Sequence, residues 1–183
     1  LIFMCLSVLR AEYSATNVPR SVAVLGNAIL LLLFLQIFFG GIVSGMKAGL
    51  AANTWPDMNG EIIPSALWSQ PVSTIGFTQY NAQDFWGRIF IQFVHRFTAY
   101  ALVILVFIFY FKTRNITSDK IFKLALNLFP VAVLLQASIG IITVLNSVGK
   151  VPVFYGVLHQ TAAMLLIAET VFVIFHLIKT KNS

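Results

Sequence analysis

Charged side chains are scarce in this chain of 183 residues. Asp, Glu, Lys and Arg together make up 10% of it, whereas a typical soluble domain has about 25%. Hydrophobic residues reach 58%. This composition excludes an ordinary soluble domain. It predicts an all-α polytopic protein embedded in a lipid bilayer, because a spanning helix satisfies its own backbone hydrogen bonds.

Cysteine is nearly absent too, since Cys5 is the only one. A disulfide framework and a cysteine metal site are therefore both excluded, and any metal must be held by other ligands. The net charge of +6 comes with no Lys/Arg cluster of the kind that binds nucleic acid, so no nucleic-acid partner is expected. Scattered basic residues in short loops instead orient membrane proteins.

The first residues lack the features of a complete span or of a leader. Residues 1–9 are apolar but too short for the roughly 20 residues that a spanning helix needs. They have neither an initiator Met nor the basic start and cleavage site of a signal peptide. We therefore expect residues 1–9 to be the end of a truncated transmembrane helix, 10–20 to be an inner loop, and 21–183 to be a four-helix transmembrane half.

Long apolar runs predict four complete spans, and the third is expected to be interrupted by Pro130. A long connection, residues 46–87, separates the first two spans and carries all three tryptophans, which are expected at the membrane surface. The turn Asn146–Pro152 is so short that the last two spans must run antiparallel. The predicted spans are Ser21–Gly45, Arg88–Phe111, Ile121–Leu145 and Val153–Ile178.

Polar residues inside two of these spans point to a site. The second span carries Gln92, His95 and Arg96 in its first turns, and the fourth carries His159. An ionisable residue in a span is costly unless it is paired, ligated or facing water, so it is a functional hypothesis by default. His95 and His159 are each about 10 Å from the outer end of the predicted span at 1.5 Å per residue. His176 is about 25 Å beyond His159 and is not expected to be a ligand.

An internal repeat explains the matched depth of the two histidines. Gln36–Gly40 and Gln136–Gly140 share a Gln-x-x-x-Gly pattern, and each precedes a histidine-bearing span. Parallel repeats are related by an axis along the membrane normal. The sequence therefore predicts a four-helix bundle with a pseudo-two-fold internal repeat, in which His95 faces His159.

Two facing imidazoles without a carboxylate or thiolate make a poor zinc site, whereas haem brings four nitrogens of its own. Small residues at the same depth, among them Gly40 and Gly140, would leave room for a flat macrocycle. Arg96 could meet haem propionates. The alternative is that the histidines only join helices by hydrogen bonds, which are worth about 0.6 kcal/mol each in membranes.

Several short motifs together resemble the C-terminal half of the haem A synthase (COX15/CtaA) family. The resemblance covers nearly the whole chain and is carried by the order and spacing of the motifs. The motifs are Gln36-Ile-Phe-Phe-Gly40, Gly49-Leu-Ala-Ala-Asn53-Thr-Trp55-Pro56-Asp57-Met58, Gln92-Phe-Val-His95-Arg96 and Leu158-His159-Gln160.

The resemblance implies an eight-helix protein of two similar halves. Such a protein oxidises a ring methyl of haem O to a formyl group, giving haem A for cytochrome oxidase. This chain would be the half that holds haem b through His95 and His159, with Gln92 and Arg96 near the cofactor. The other half would carry the catalytic carboxylate, and Gln92 stands where that half has glutamate. An amide cannot exchange a proton as a carboxylate does, so no catalytic residue is expected here.

The resemblance also implies a bacterial cytoplasmic or mitochondrial inner membrane. It implies haem O as a substrate reached through the other half, with haem O synthase or cytochrome oxidase assembly factors as partners. Two other functions stay open on the residues alone. One is a non-enzymatic b-type cytochrome subunit for electron transfer, and the other is a haem-free membrane assembly factor or transporter.

The distribution of Lys and Arg predicts the topology. Eight of them lie in residues 10–20, 112–123 and 179–183, against Lys47, Arg88 and Lys150 on the other side. The first set is expected on the cytoplasmic or matrix side. A reporter fused after Lys181 should be active only there, and one inserted near Asn59 only on the opposite side. The reverse pattern of reporter activity would contradict the assignment.

Overall fold

The computed structural model describes residues 18–68, 85–116 and 120–177. This part of the chain forms four long helices, which we number α1 to α4, and each is long and apolar enough to cross a membrane. The all-α polytopic fold is thereby confirmed. The helices are α1 (Arg20–Gly45), α2 (Phe85–Thr113), α3 (Lys120–Leu145) and α4 (Val153–Leu177). The expected truncated span at 1–9, and residues 10–17 of the inner loop, lie outside the described residues.

The predicted boundaries differ from the observed ones mainly at α2. This helix begins at Phe85, three residues before the predicted start, and ends two residues after the predicted end. The other three helices agree to within one residue at each end. The expected interruption at Pro130 is wrong, because α3 continues through it. Proline removes one backbone hydrogen bond of a helix, which spanning helices tolerate when their neighbours pack around the site.

The outward faces of the helices are apolar. Large side chains such as Leu31, Phe38, Leu135 and Phe154 are 60 to 73% exposed. Apolar faces of this extent on every helix are incompatible with water and match the hydrocarbon core of a bilayer. The protein is therefore an integral membrane protein that contacts lipid.

The contacts divide the chain into two units. The apolar unit contains residues 18–34, 101–116, 120–136 and 162–177 of the described chain. Eight of its side chains surround an internal space too small for a water molecule, and each helix contributes two of them: Ile29, Leu33, Leu102, Val106, Phe129, Val133, Leu166 and Thr170.

These eight positions follow the internal repeat. Residues of α1 and α3 in this layer are 100 positions apart in sequence, and residues of α2 and α4 are 64 apart. The same offsets relate Gln36 to Gln136 and His95 to His159. The register of the repeat therefore places the two histidines at equivalent positions, even though α2 begins earlier relative to its histidine than α4 does.

His176 also belongs to the apolar unit. Its ring stacks on Phe122 with 5.3 Å between the centroids, and its Nδ1 lies 2.8 Å from the carbonyl oxygen of Phe172. These contacts fit a packing role for His176.

The histidine unit contains residues 35–68, 85–100 and 137–161 of the described chain. Residues 46–68, which we call the cap loop, belong to it. The cap loop has short 3-10 helices at Ala48–Leu50 and Ser65–Trp68 and an antiparallel bridge between Met58 and Glu61. Backbone hydrogen bonds within the loop therefore contribute to its fold.

Trp86, next to the start of α2, is 6% exposed, whereas Trp55 and Trp68 are 42% and 81% exposed. The indole nitrogen of Trp86 donates to the carbonyl oxygen of Leu67 at 3.3 Å. Trp86 therefore packs inside the protein and fastens the end of the cap loop, unlike the surface position expected for all three tryptophans.

Candidate functional site

His95 lies in the histidine unit with its ring edge against α1. A Cβ atom added to Gly40 would be 3.2 Å from Cε1 of His95. Any residue larger than glycine at position 40 would press on the imidazole. The glycine of the first Gln-x-x-x-Gly pattern therefore makes room for the histidine of the next span.

His159 has the equivalent position in the second repeat. A Cβ atom added to Gly140 would be 2.9 Å from Cε1 of His159, which is closer than real Cβ contacts. The helix pair α3 and α4 thus repeats the arrangement of α1 and α2. Both glycines of the pattern lie directly against a histidine, which is a specific role that the sequence alone did not give them.

Gln36 fixes His95 from the same helix as Gly40. Its amide nitrogen lies 3.3 Å from Nε2 of His95 and donates to the carbonyl oxygen of His95 at 3.1 Å. Nδ1 of His95 is shielded from solvent and has no hydrogen-bond partner in the described chain. Nε2 of His95 therefore contacts a neutral amide, whereas Nδ1 makes no hydrogen bond within the described chain.

His95 and His159 both belong to the histidine unit. The neutral imidazole is the form of histidine that binds metals. Among residues 18–68, 85–116 and 120–177, no group of three or more His, Cys, Asp or Glu side chains could hold a bare metal ion. The donors present suit a metal that already carries most of its ligands.

Gln92 and Arg96 lie on α2 beside His95, and both are buried. The amide nitrogen of Gln92 donates to the carbonyl oxygen of Ala52 at 2.7 Å. Nη2 of Arg96 donates to the same oxygen at 3.0 Å, and Nη1 donates to the carbonyl oxygen of Asp57 at 2.7 Å. Both side chains are thus bonded to the backbone of the cap loop.

The turn that Arg96 contacts is closed by its own side chains. The hydroxyl of Thr54 donates to the carboxylate of Asp57, and the backbone nitrogen of Gly60 donates to it at 3.1 Å. These two hydrogen bonds, followed by the nearby Arg96 charge, hold the pKa of Asp57 below its usual value. Asp57 therefore stays ionised near neutral pH and keeps the turn closed.

The cap loop also contacts the turn between α3 and α4. The side-chain amide of Asn53 donates to the carbonyl oxygen of Ser147 at 3.4 Å. A Cβ atom on Gly49 would be 2.9 Å from the hydroxyl oxygen of the same serine. The loop of the first repeat thereby reaches the turn of the second.

Comparison with known proteins agrees with the motifs. The sequence profile of COX15-CtaA, described as cytochrome oxidase assembly protein, matches residues 1–171. A heme A synthase of Bradyrhizobium diazoefficiens is 35% identical over 164 residues, which cover 88% of this chain and 42% of that protein. No solved structure matches the chain at a significant level.

Two further relatives show similar coverage. The heme A synthase of Rhizobium etli is 34% identical over 173 residues, with 88% of this chain and 42% of that protein covered. The heme A synthase of Flavobacterium johnsoniae is 34% identical over 148 residues, with 80% and 41% covered. The chain therefore spans less than half the length of the curated relatives it matches.

The contact of Gly140 with His159 generates a test of the site's packing. Gly140→Ala should lower the free energy of unfolding by about 1 to 3 kcal/mol, as overpacked cores do. Gly41→Ala is the matched control, because nothing lies within 4 Å of its added Cβ. It should be neutral or stabilising by up to about 1 kcal/mol, since alanine favours a helix over glycine. Thermal unfolding in detergent measures both, and equal melting temperatures would contradict the packing argument.

Proposed function

This chain belongs to the COX15-CtaA family of cytochrome oxidase assembly proteins, and on that premise we propose that it is the haem-b-binding half of a haem A synthase. His95 and His159 would be the two protein residues that hold the iron of haem b. The activity of the whole protein would be the oxidation of the ring methyl of haem O to the formyl group of haem A. The catalytic carboxylate would lie in the part of the relatives that this chain does not cover. The protein would act in a bacterial cytoplasmic or mitochondrial inner membrane.

The observation that carries the proposal is the matched pair of imidazoles, each set against a glycine of the preceding helix. Two imidazoles could hold the iron of a haem, which brings four nitrogens of its own. The unpartnered Nδ1 of His95 indicates that this ring's hydrogen-bonding capacity is not used up within the protein.

A bound haem would supply an iron that gains and loses one electron. The protein residues would hold it and set its surroundings. Gln36 would orient His95 through its bond to the carbonyl oxygen of that residue. Contact of Arg96 with a propionate stays a prediction. The bonds to the cap loop use two of the five N–H donors of the guanidinium, and Nε is buried without a partner in the described chain, so donors for a propionate remain.

A second candidate function is supported by the contact of Gln36 with His95. A histidine that accepts a hydrogen bond from a neighbouring helix can have the joining of helices as its whole role, and each such bond contributes about 0.6 kcal/mol. A haem-free assembly factor would use the histidines in this way. A measurement of ligation separates the two functions.

The ligation test uses the three histidines of the chain. His95→Ala and His159→Ala should each remove the low-spin signal of a bis-imidazole haem from the purified protein, since an alanine supplies no donor. His176→Ala is the control and should keep the signal, because His176 packs against Phe122. Electron paramagnetic resonance and the pyridine haemochrome content measure the result. A full low-spin signal in the His95→Ala, His159→Ala double variant would contradict the assignment.

The synthase activity has a separate test. The full-length protein, expressed with a source of haem O, should yield haem A, and the His159→Ala variant should yield less of it. Pyridine haemochrome spectra of the extracted haems measure the product. Bound haem b without any haem A would favour the electron-transfer cytochrome instead.

A further inference from the structure

Two buried side chains of α2 donate hydrogen bonds to the cap loop. Gln92 is 1% exposed and Arg96 is 7% exposed. Together they give three bonds to backbone oxygens, two of which meet at Ala52. Burying a charged guanidinium is costly unless it is hydrogen-bonded. The three hydrogen bonds would be lost if the loop moved away, so they favour the closed loop.

Apolar packing works in the same direction. Ala52 and Met58 of the cap loop form a buried cluster with Ile89 of α2, and Phe93 packs against it. Ile89 and Phe93 lie on the same face of α2 as Gln92 and Arg96. The loop is therefore attached to this face by both polar and apolar contacts.

Comparison of the two internal repeats indicates that this attachment of a loop is specific to the first repeat, which consists of α1 and α2. The positions on α4 equivalent to Gln92 and Arg96 are Gly156 and Gln160, and Gln160 is exposed. The second repeat has only a short turn, from residue 146 to 152, before α4. The polar pair is present in the repeat that has a long loop to hold, and it is missing from the repeat that has none.

We propose that Gln92 and Arg96 are positioning residues that hold the cap loop closed and thereby exclude water from His95. His95 lies three residues after Gln92 and one before Arg96, and its Nδ1 is already shielded from solvent. The consequence for a haem ligated there rests on the function proposed above. The closure of the cap loop by Gln92 and Arg96 does not depend on that function.

The hydrogen bonds also explain why position 92 carries an amide. A carboxylate of the same shape has only acceptors when ionised, so it would face the carbonyl oxygen of Ala52 without a donor. Gln92→Glu therefore changes the bond with little change in volume. Arg96→Lys keeps the charge, but its single ammonium cannot reproduce the fork that serves two carbonyl oxygens.

Hydrogen exchange of the cap loop tests the closure in the full-length protein in lipid nanodiscs. Peptides that cover residues 46–68 should exchange about tenfold faster or more in Gln92→Glu, since local opening controls the exchange rate. Arg96→Lys should give a smaller increase. Peptides from α3 report whether the variant is folded and should exchange as in the parent protein.

Gln160→Glu is the matched control, because it makes the same chemical change at a position with no loop to hold, and its cap-loop exchange should equal that of the parent. Unchanged exchange in both Gln92→Glu and Arg96→Lys would overturn the proposal. If Gln92→Glu also loosens α3, the milder Arg96→Lys variant decides.

The reduction potential of bound haem supplies the second readout. Admitting water beside a ligand histidine should shift the potential to a lower value, because solvent stabilises the more highly charged oxidised state. Faster exchange of the cap loop with an unchanged reduction potential would mean that the loop does not exclude water from His95. This result would overturn that part of the proposal. A parent protein without haem would defeat the proposed function, while the exchange result would still decide the closure.

Discussion

Each imidazole of this site rests against the backbone of a neighbouring helix, and this close approach is the constraint on which the rest of the structure depends. It is possible only where a helix has no side chain, at Gly40 and Gly140. The glycines lie on α1 and α3, whereas the histidines lie on α2 and α4. The order of the helices, their register and the size of the residues at two positions are therefore fixed together. The apolar layer of eight side chains keeps the same register.

Much of this arrangement could be predicted from the sequence. Long apolar runs gave the four helices, because a bilayer demands about 20 apolar residues per span. The shared Gln-x-x-x-Gly pattern gave the repeat and the equivalence of His95 and His159. The interruption expected at Pro130 failed for a physical reason. Loss of one backbone bond does not end a helix that is packed on several sides.

The role of Gln92 and Arg96 could not be predicted in the same way. Their acceptors are backbone oxygens about 40 residues earlier in the chain, and every residue has such an oxygen. No residue type marks Ala52 as an acceptor. The only signal available was the contrast with Gly156 and Gln160 in the other repeat, together with the unequal length of the two connections. Ligation by the two histidines stays a prediction, since no contact in the protein alone reports it.

The unequal connections have a consequence for orientation. Two donors related by a two-fold axis present the same surroundings to a flat ligand and to that ligand turned over by half a revolution. Symmetry of this kind can set where such a ligand sits, but it cannot tell one edge of the ligand from the other. The parts that break the repeat can do so, and the cap loop with the pair that binds it is one of them. A duplicated fold therefore acquires a direction from a segment that its repeats do not share.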